Sequence, residues 1–122
     1  MNVESYLALY PDGSFKWIRT LRSEMMRRFK EIIGCRHVER VSLPFGFCCF
    51  VDEVGKMKKP PQPLNSYASR FYPGTFFGDP LVGPVVFFRE DVYDGEYDVV
   101  PLTKTDVMII EIVTGLSVPA LC

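Results

Sequence analysis

The 122-residue chain predicts a single α+β domain: an antiparallel sheet of hairpins covered by two helices, plus one short helix. Three observations carry that expectation. Turn-forming clusters at Pro11-Asp12-Gly13-Ser14, Pro44 and Asp94-Gly95-Glu96 separate runs of large apolar residues, as hairpins require. Two segments, after Thr20 and after Thr103, carry helix caps and helical spacing. With 48% apolar and 14% aromatic residues, the chain can bury a core without a metal or disulfide staple.

Tyr6–Tyr10 and Phe15–Ile18 flank the first turn and predict the first hairpin. Thr20 is then placed to cap a helix whose apolar residues Leu21, Met25, Phe29 and Ile32 fall on one face, with Gly34 at its left-handed end. From Arg36 the pattern alternates through Val38, Val41 and Leu43, which predicts a half-exposed strand with an irregularity near Glu39. Phe45–Val51 is almost wholly apolar and predicts a strand covered on both faces, paired with the preceding one. The prolines of Lys56–Pro63 predict an exposed loop, and Asn65 is placed to cap a short helix over Leu64–Tyr72. Leu81–Phe88 reads as a strand, bulged or at an edge because of Gly83-Pro84, and Tyr97–Val100 as its hairpin partner. Thr103 or Thr105 caps a last helix, Asp106–Leu116, favoured over a strand by its cap chemistry.

Charge and composition exclude several functions. Fourteen basic against fifteen acidic residues give a net charge of -1, without the global basic field of a nucleic-acid binder. A single histidine, His37, excludes zinc sites built on two or three imidazoles. The apolar runs are too short to span a membrane, and the N-terminal stretch lacks a basic region and is broken at Pro11, so no signal peptide is expected. Four cysteines without a C-x-x-C pattern suit reduced thiols, hence a cytoplasmic protein.

The segment Gly46–Phe88 contains Asp52-Glu53-x-Gly55-Lys56-Met57, Asn65-x-x-Ala68 and Gly78-Asp79-Pro80-Leu81-Val82-Gly83-Pro84-Val85-Val86, and it resembles the family catalogued as domain of unknown function 3846. The resemblance extends through the helix ending at Gly34 and through Val100-Pro101-Leu102-Thr103. It implies an origin in bacteriophages or other mobile elements. It therefore implies a small binding protein that engages a host protein, in an effector or anti-defence role. Sequestration of a small ligand such as a nucleotide signal is the alternative, and an enzyme the third reading.

Catalytic and metal chemistry find little support. Cys35-x-His37, extended by Glu39, sets soft ligands on one face if the strand begins there, but an ordinary mixed face is the better reading. Cys48-Cys49 lies in the most apolar run, an inert setting for a thiol. No nucleophile elbow or phosphate loop occurs, and no catalytic residue, metal or cofactor is expected. Two patches suit binding. Asn65, Tyr67, Arg70, Tyr72, Phe76 and Phe77 combine aromatic rings, an amide and a guanidinium, chemistry for a protein interface or for stacking on a ligand. Arg22, Arg27, Arg28, Lys58 and Lys59 form a basic surface if the first helix and the proline loop share a side. Finally, Val107, Met108, Ile109, Ile110, Ile112, Val113 and Leu116 surround the last helix, more than one core can cover, which predicts a homodimer through that segment.

Overall fold

A computed structural model describes residues 3–93 and 95–121. The strands are β1 (Val3–Leu9), β2 (Phe15–Leu21), β3 (Val38–Ser42), β4 (Phe47–Asp52), β5 (Val85–Tyr93) and β6 (Glu96–Val100). The helices are α1 (Met25–Ile33), α2 (Ser66–Ser69) and α3 (Lys104–Thr114). All strand pairs are antiparallel, in the order β2-β1-β5-β4-β3, and β6 pairs with the distal half of β5. The sheet is the α+β arrangement the hairpin signals predict.

The two-residue period of β4 explains the layering. Phe47, Cys49 and Val51 point to one face, where they join Leu7, Leu9, Val85 and Phe87 under Ala68, Phe71 and Ile110. Cys48 and Phe50 point to the other, where Tyr6, Ala8, Ile18, Val86 and Phe88 meet Met25, Phe29 and Ile33 of α1. Because every β4 residue is buried, the run reads as continuously apolar rather than alternating. Aromatic pairs seal both layers: Phe50 stacks on Phe88 at 4.4 Å on the α1 side, and Phe71 meets Phe87 edge-on at 5.6 Å on the other.

Several boundaries differ from the sequence expectation. Thr20 caps no helix. It lies in β2 opposite Glu4, and α1 begins five residues later after a tight turn, with no side-chain cap at Glu24. Arg22 explains the longer hairpin, since its guanidinium donates to Glu4 at 2.9 Å and to the Val99 carbonyl at 2.8 Å, and pairs with Asp98, fastening β1, β2 and β6 together. The end of α1 is as expected, with Gly34 left-handed at φ 77°.

No irregularity occurs at Glu39: β3 pairs in constant register from Val38 opposite Asp52 to Ser42 opposite Cys48. Val38 and Val41, three apart, serve opposite faces instead. Phe45 does not belong to β4; it stands in a turn at φ 67° with its ring exposed. The segment around Gly83-Pro84 precedes the strand, so β5 starts at Val85, is central rather than an edge, and runs on through Arg89-Glu90-Asp91 to pair with β6. Residue 94 of that hairpin's turn lies outside the described residues. Helix α2 is shorter than Leu64–Tyr72, a single turn capped by Asn65.

α3 is a helix, as its cap chemistry predicts. Thr103 Oγ1 accepts from the Asp106 N–H at 3.2 Å while the Asp106 carboxylate accepts from the Thr103 N–H at 2.8 Å. The same carboxylate, almost wholly buried, takes the Arg89 side chain from β5, with Nε at 2.9 Å. Burial disfavours its charge, yet Arg89 and the Thr103 donors outweigh that, and the Asp106 pKa lies below the usual range.

Candidate functional site

The six residues of the aromatic and amide patch do share one neighbourhood, but they divide into scaffold and surface. Asn65 is completely buried, and both of its amide hydrogens are used: Nδ2 donates to the Leu9 and Gly83 carbonyls, each at 3.0 Å. Its Oδ1 accepts from the Ala68 N–H at 3.0 Å, which caps α2. The side chain therefore ties the end of β1 to the Gly83 turn and to α2. Ser69, which sequence reasoning did not single out, acts alongside it: Oγ donates to the Asn65 carbonyl at 2.7 Å and accepts from the Leu81 N–H at 2.9 Å. The sequence signal for it is only a serine four residues after a cap.

Tyr67 is half-buried against the core, its ring closing over Gly13, where a Cβ would lie 3.0 Å from Cε2. Arg70 is exposed, 5.6 Å over the Tyr67 ring, and Nη1 donates to the Thr114 carbonyl at the end of α3 at 2.7 Å. Tyr72 is half-buried and its hydroxyl donates to Asp79 Oδ2 at 3.5 Å; burial, then the Asp79 charge, push its pKa up.

Phe76 and Phe77 are different. They stand on the turn Pro73–Phe77 with exposures of 91% and 88%. That turn is closely held. Pro73 opens it, Gly78 closes it left-handed at φ 79°, the Asp79 N–H donates to the Gly74 carbonyl at 3.0 Å, and Thr75 Oγ1 donates to the Ser69 carbonyl at 2.8 Å. Lys56 pairs with Asp79, and that pairing holds the Asp79 carboxyl below the ordinary range. Beside Phe76 an open groove of about 510 Å³ runs along Leu64, Thr75 and Pro80. Two phenyl rings are thus displayed in water on a braced knuckle, an arrangement that desolvation on binding would favour.

The basic residues do not act as one free patch. Arg22 is engaged with Glu4, Asp98 and Val99, Arg27 pairs with Glu31 at 2.8 Å on its own helix, and Arg28 donates to the Arg19 carbonyl at 2.9 Å. Lys58 donates to the Gly34 carbonyl at 3.0 Å and pairs with buried Asp52 at 2.5 Å, so the proline loop does reach the end of α1. Lys59 is exposed.

Cys35 and His37 precede β3 rather than lying on it, so no shared strand face aligns them with Glu39. Among the described residues no three His, Cys, Asp or Glu side chains converge as metal ligands. Cys35, Cys48 and Cys49 are free thiols, and Cys122 lies outside the described residues. Complete burial pushes the Cys49 thiol far up, away from nucleophilic form. Cys48 Sγ lies 3.5 Å from Glu90, whose carboxylate pairs with Arg40. Among the described residues no helix is long and apolar enough to cross a membrane.

Fold and site together define an α+β domain with a six-stranded antiparallel sheet between helices and an exposed aromatic turn. The chain belongs to the family described as Domain of unknown function (DUF3846), whose model matches residues 7–111. No curated protein and no solved structure matches it.

Proposed function

We propose that this protein is a non-enzymatic binding module of phage or mobile-element type that docks on a protein of the host cell, in an effector or anti-defence role, by inserting Phe76 and Phe77 into an apolar cleft of that partner. The observation that carries the reading is the display of both rings, about nine-tenths exposed, on a turn fixed by Thr75, Gly78 and Asp79. A ring held in place loses little further freedom on docking, so its desolvation is available to affinity. Sequestration of a small ligand is supported less well, because these rings face bulk water rather than an enclosed cavity. Absence of catalysis rests on the burial of Cys48 and Cys49 and on the structural engagement of Asn65.

Retention of host proteins on the immobilised chain tests the reading, with the Phe76→Ser/Phe77→Ser double variant alongside. A protein kept by the parent chain and released by the double variant supports it. Equal retention on both, or retention of a small molecule alone, overturns it.

A second reading concerns α3. Met108 is 60% and Ile112 77% exposed on the face turned away from the sheet. We propose that two copies associate across this face about a two-fold axis, which covers both side chains at once.

A further inference from the structure

The end of α1 and the end of β4 border an open groove of about 710 Å³ on the α1 side, in a different layer from the Phe76–Phe77 turn. Its shape follows from local backbone bonds. Left-handed Gly34 turns the chain out of the helix, with the Gly34 and Cys35 N–H groups both donating to the Lys30 carbonyl. The Glu53 N–H then donates to the His37 carbonyl at 3.2 Å, which fixes residues 35–37 beside the end of β4.

Two negative features at this place are already neutralised by one cation. The carbonyl of Gly34, at the negative end of the helix dipole, and the buried Asp52 carboxylate both bind the Lys58 ammonium, at 3.0 and 2.5 Å. Glu31 at the rim is paired with Arg27. Lys30, Arg36 and His37 line the same groove, and among the described residues their side chains have no hydrogen-bond or ion-pair partner. Glu53 is the one rim carboxylate left to oppose them. The rest of the lining is chiefly carbon, from Val54 and the stems of the long side chains.

Arg36 and His37 are exposed and Lys30 is half-buried, so their donors face water. Lysine and arginine are donors only and histidine supplies at least one further donor, so a ligand that replaces that water is rich in acceptor oxygens and negative. The space exceeds what inorganic phosphate fills and lies within the range of small-molecule sites. We propose that this groove binds a phosphate-bearing small molecule of about nucleotide size, its phosphate oxygens on Lys30, Arg36 and His37 and its body against the carbon floor at Val54. The site is separate from the protein-docking turn, and either can exist without the other.

Calorimetric titration of the full chain at low salt tests this, with ADP, inorganic pyrophosphate and adenosine as probes. ADP and pyrophosphate should bind, ADP the more tightly, and adenosine should not. Lys30→Ala and Arg36→Ala should each weaken ADP about tenfold, the loss of one charge-assisted contact, with unchanged melting temperatures. Lys59→Ala, outside the groove, should leave binding unchanged. Amide shifts induced by ADP should centre on Gly34, His37 and Val54. Failure of both ADP and pyrophosphate to bind below about 1 mM overturns the proposal. So does adenosine binding as tightly as ADP, or an equal loss in Lys59→Ala.

Discussion

Replacing Asn65 separates a scaffold role from a ligand role at the residue that the sequence offers as a binding group. The buried amide donates to the Leu9 and Gly83 carbonyls and accepts from the Ala68 N–H. In Asn65→Ala the cap bond and two buried carbonyl bonds disappear together. At about 1 kcal/mol each, the loss is about 3 kcal/mol, a large part of the stability of a domain this size. Asn65→Asp is the sharper probe. It keeps the acceptor for Ala68 but replaces both donor hydrogens with a second carboxylate oxygen that faces two carbonyls, so at neutral pH it should cost more than alanine does. Urea denaturation at constant pH reads both, since a shift of midpoint at unchanged slope reports stability directly. An Asn65→Asp variant as stable as the parent would refute the assigned donors and return Asn65 to the pool of ligand candidates.

Other outcomes follow from the same contacts. Arg89→Leu leaves the buried Asp106 carboxylate without its cation and should cost about 3 kcal/mol by urea titration, the scale of breaking a buried pair. Because the Asp106 pKa is lowered in the folded state, its contribution is fully present above the unfolded carboxyl value of about 4 and is lost as pH falls through the folded pKa; acid titrations of parent and Asp106→Asn should run parallel below that window, diverge as pH rises through it and keep a constant difference above it. Phe76→Ser and Phe77→Ser should each change stability by less than about 0.5 kcal/mol, since both rings are already in water, while abolishing partner retention. If α3 carries a dimer, Ile112→Glu should give a folded monomer in sedimentation at micromolar concentration; Ile110→Glu, at a completely buried position, should unfold the chain instead.

Much of the fold was legible because local chemistry and tertiary position agree. The four-residue spacing of Met25 and Phe29, the Gly34 end, the Thr103 capping box and the wholly apolar Phe47–Val51 run all point the same way at both levels, although Ile33 rather than the expected Ile32 completes the buried face and Leu21 belongs to β2. The misread boundaries share a different cause: polar residues whose partners are distant in sequence. Arg22 lengthens the first hairpin only because Glu4 and Asp98 stand beside it, and Arg89-Glu90 extends β5 because Asp106 and Arg40 receive them. The candidate site was legible in composition but not in division of labour. The cap position marks Asn65 as a helix-starting residue, but nothing local shows that its amide is sealed under a backbone turn while Phe76 and Phe77 stand outside the next one. The groove at Lys30, Arg36 and His37 was legible only as the basic side that α1 and the proline loop share through Arg27 and Lys58; its walls were not, since a whole hairpin separates residues 30–37 from Asp52 and Lys58.

In the proposed function a partner protein is gripped through the braced aromatic turn. Photo-crosslinking in host cells tests it most directly, with a benzophenone amino acid placed in turn at positions 76 and 77 and, for comparison, at the exposed Met57 outside that turn. One discrete protein adduct is expected from positions 76 and 77 and none from 57. An adduct from position 57 alone, or no protein adduct from either phenylalanine position, would contradict it.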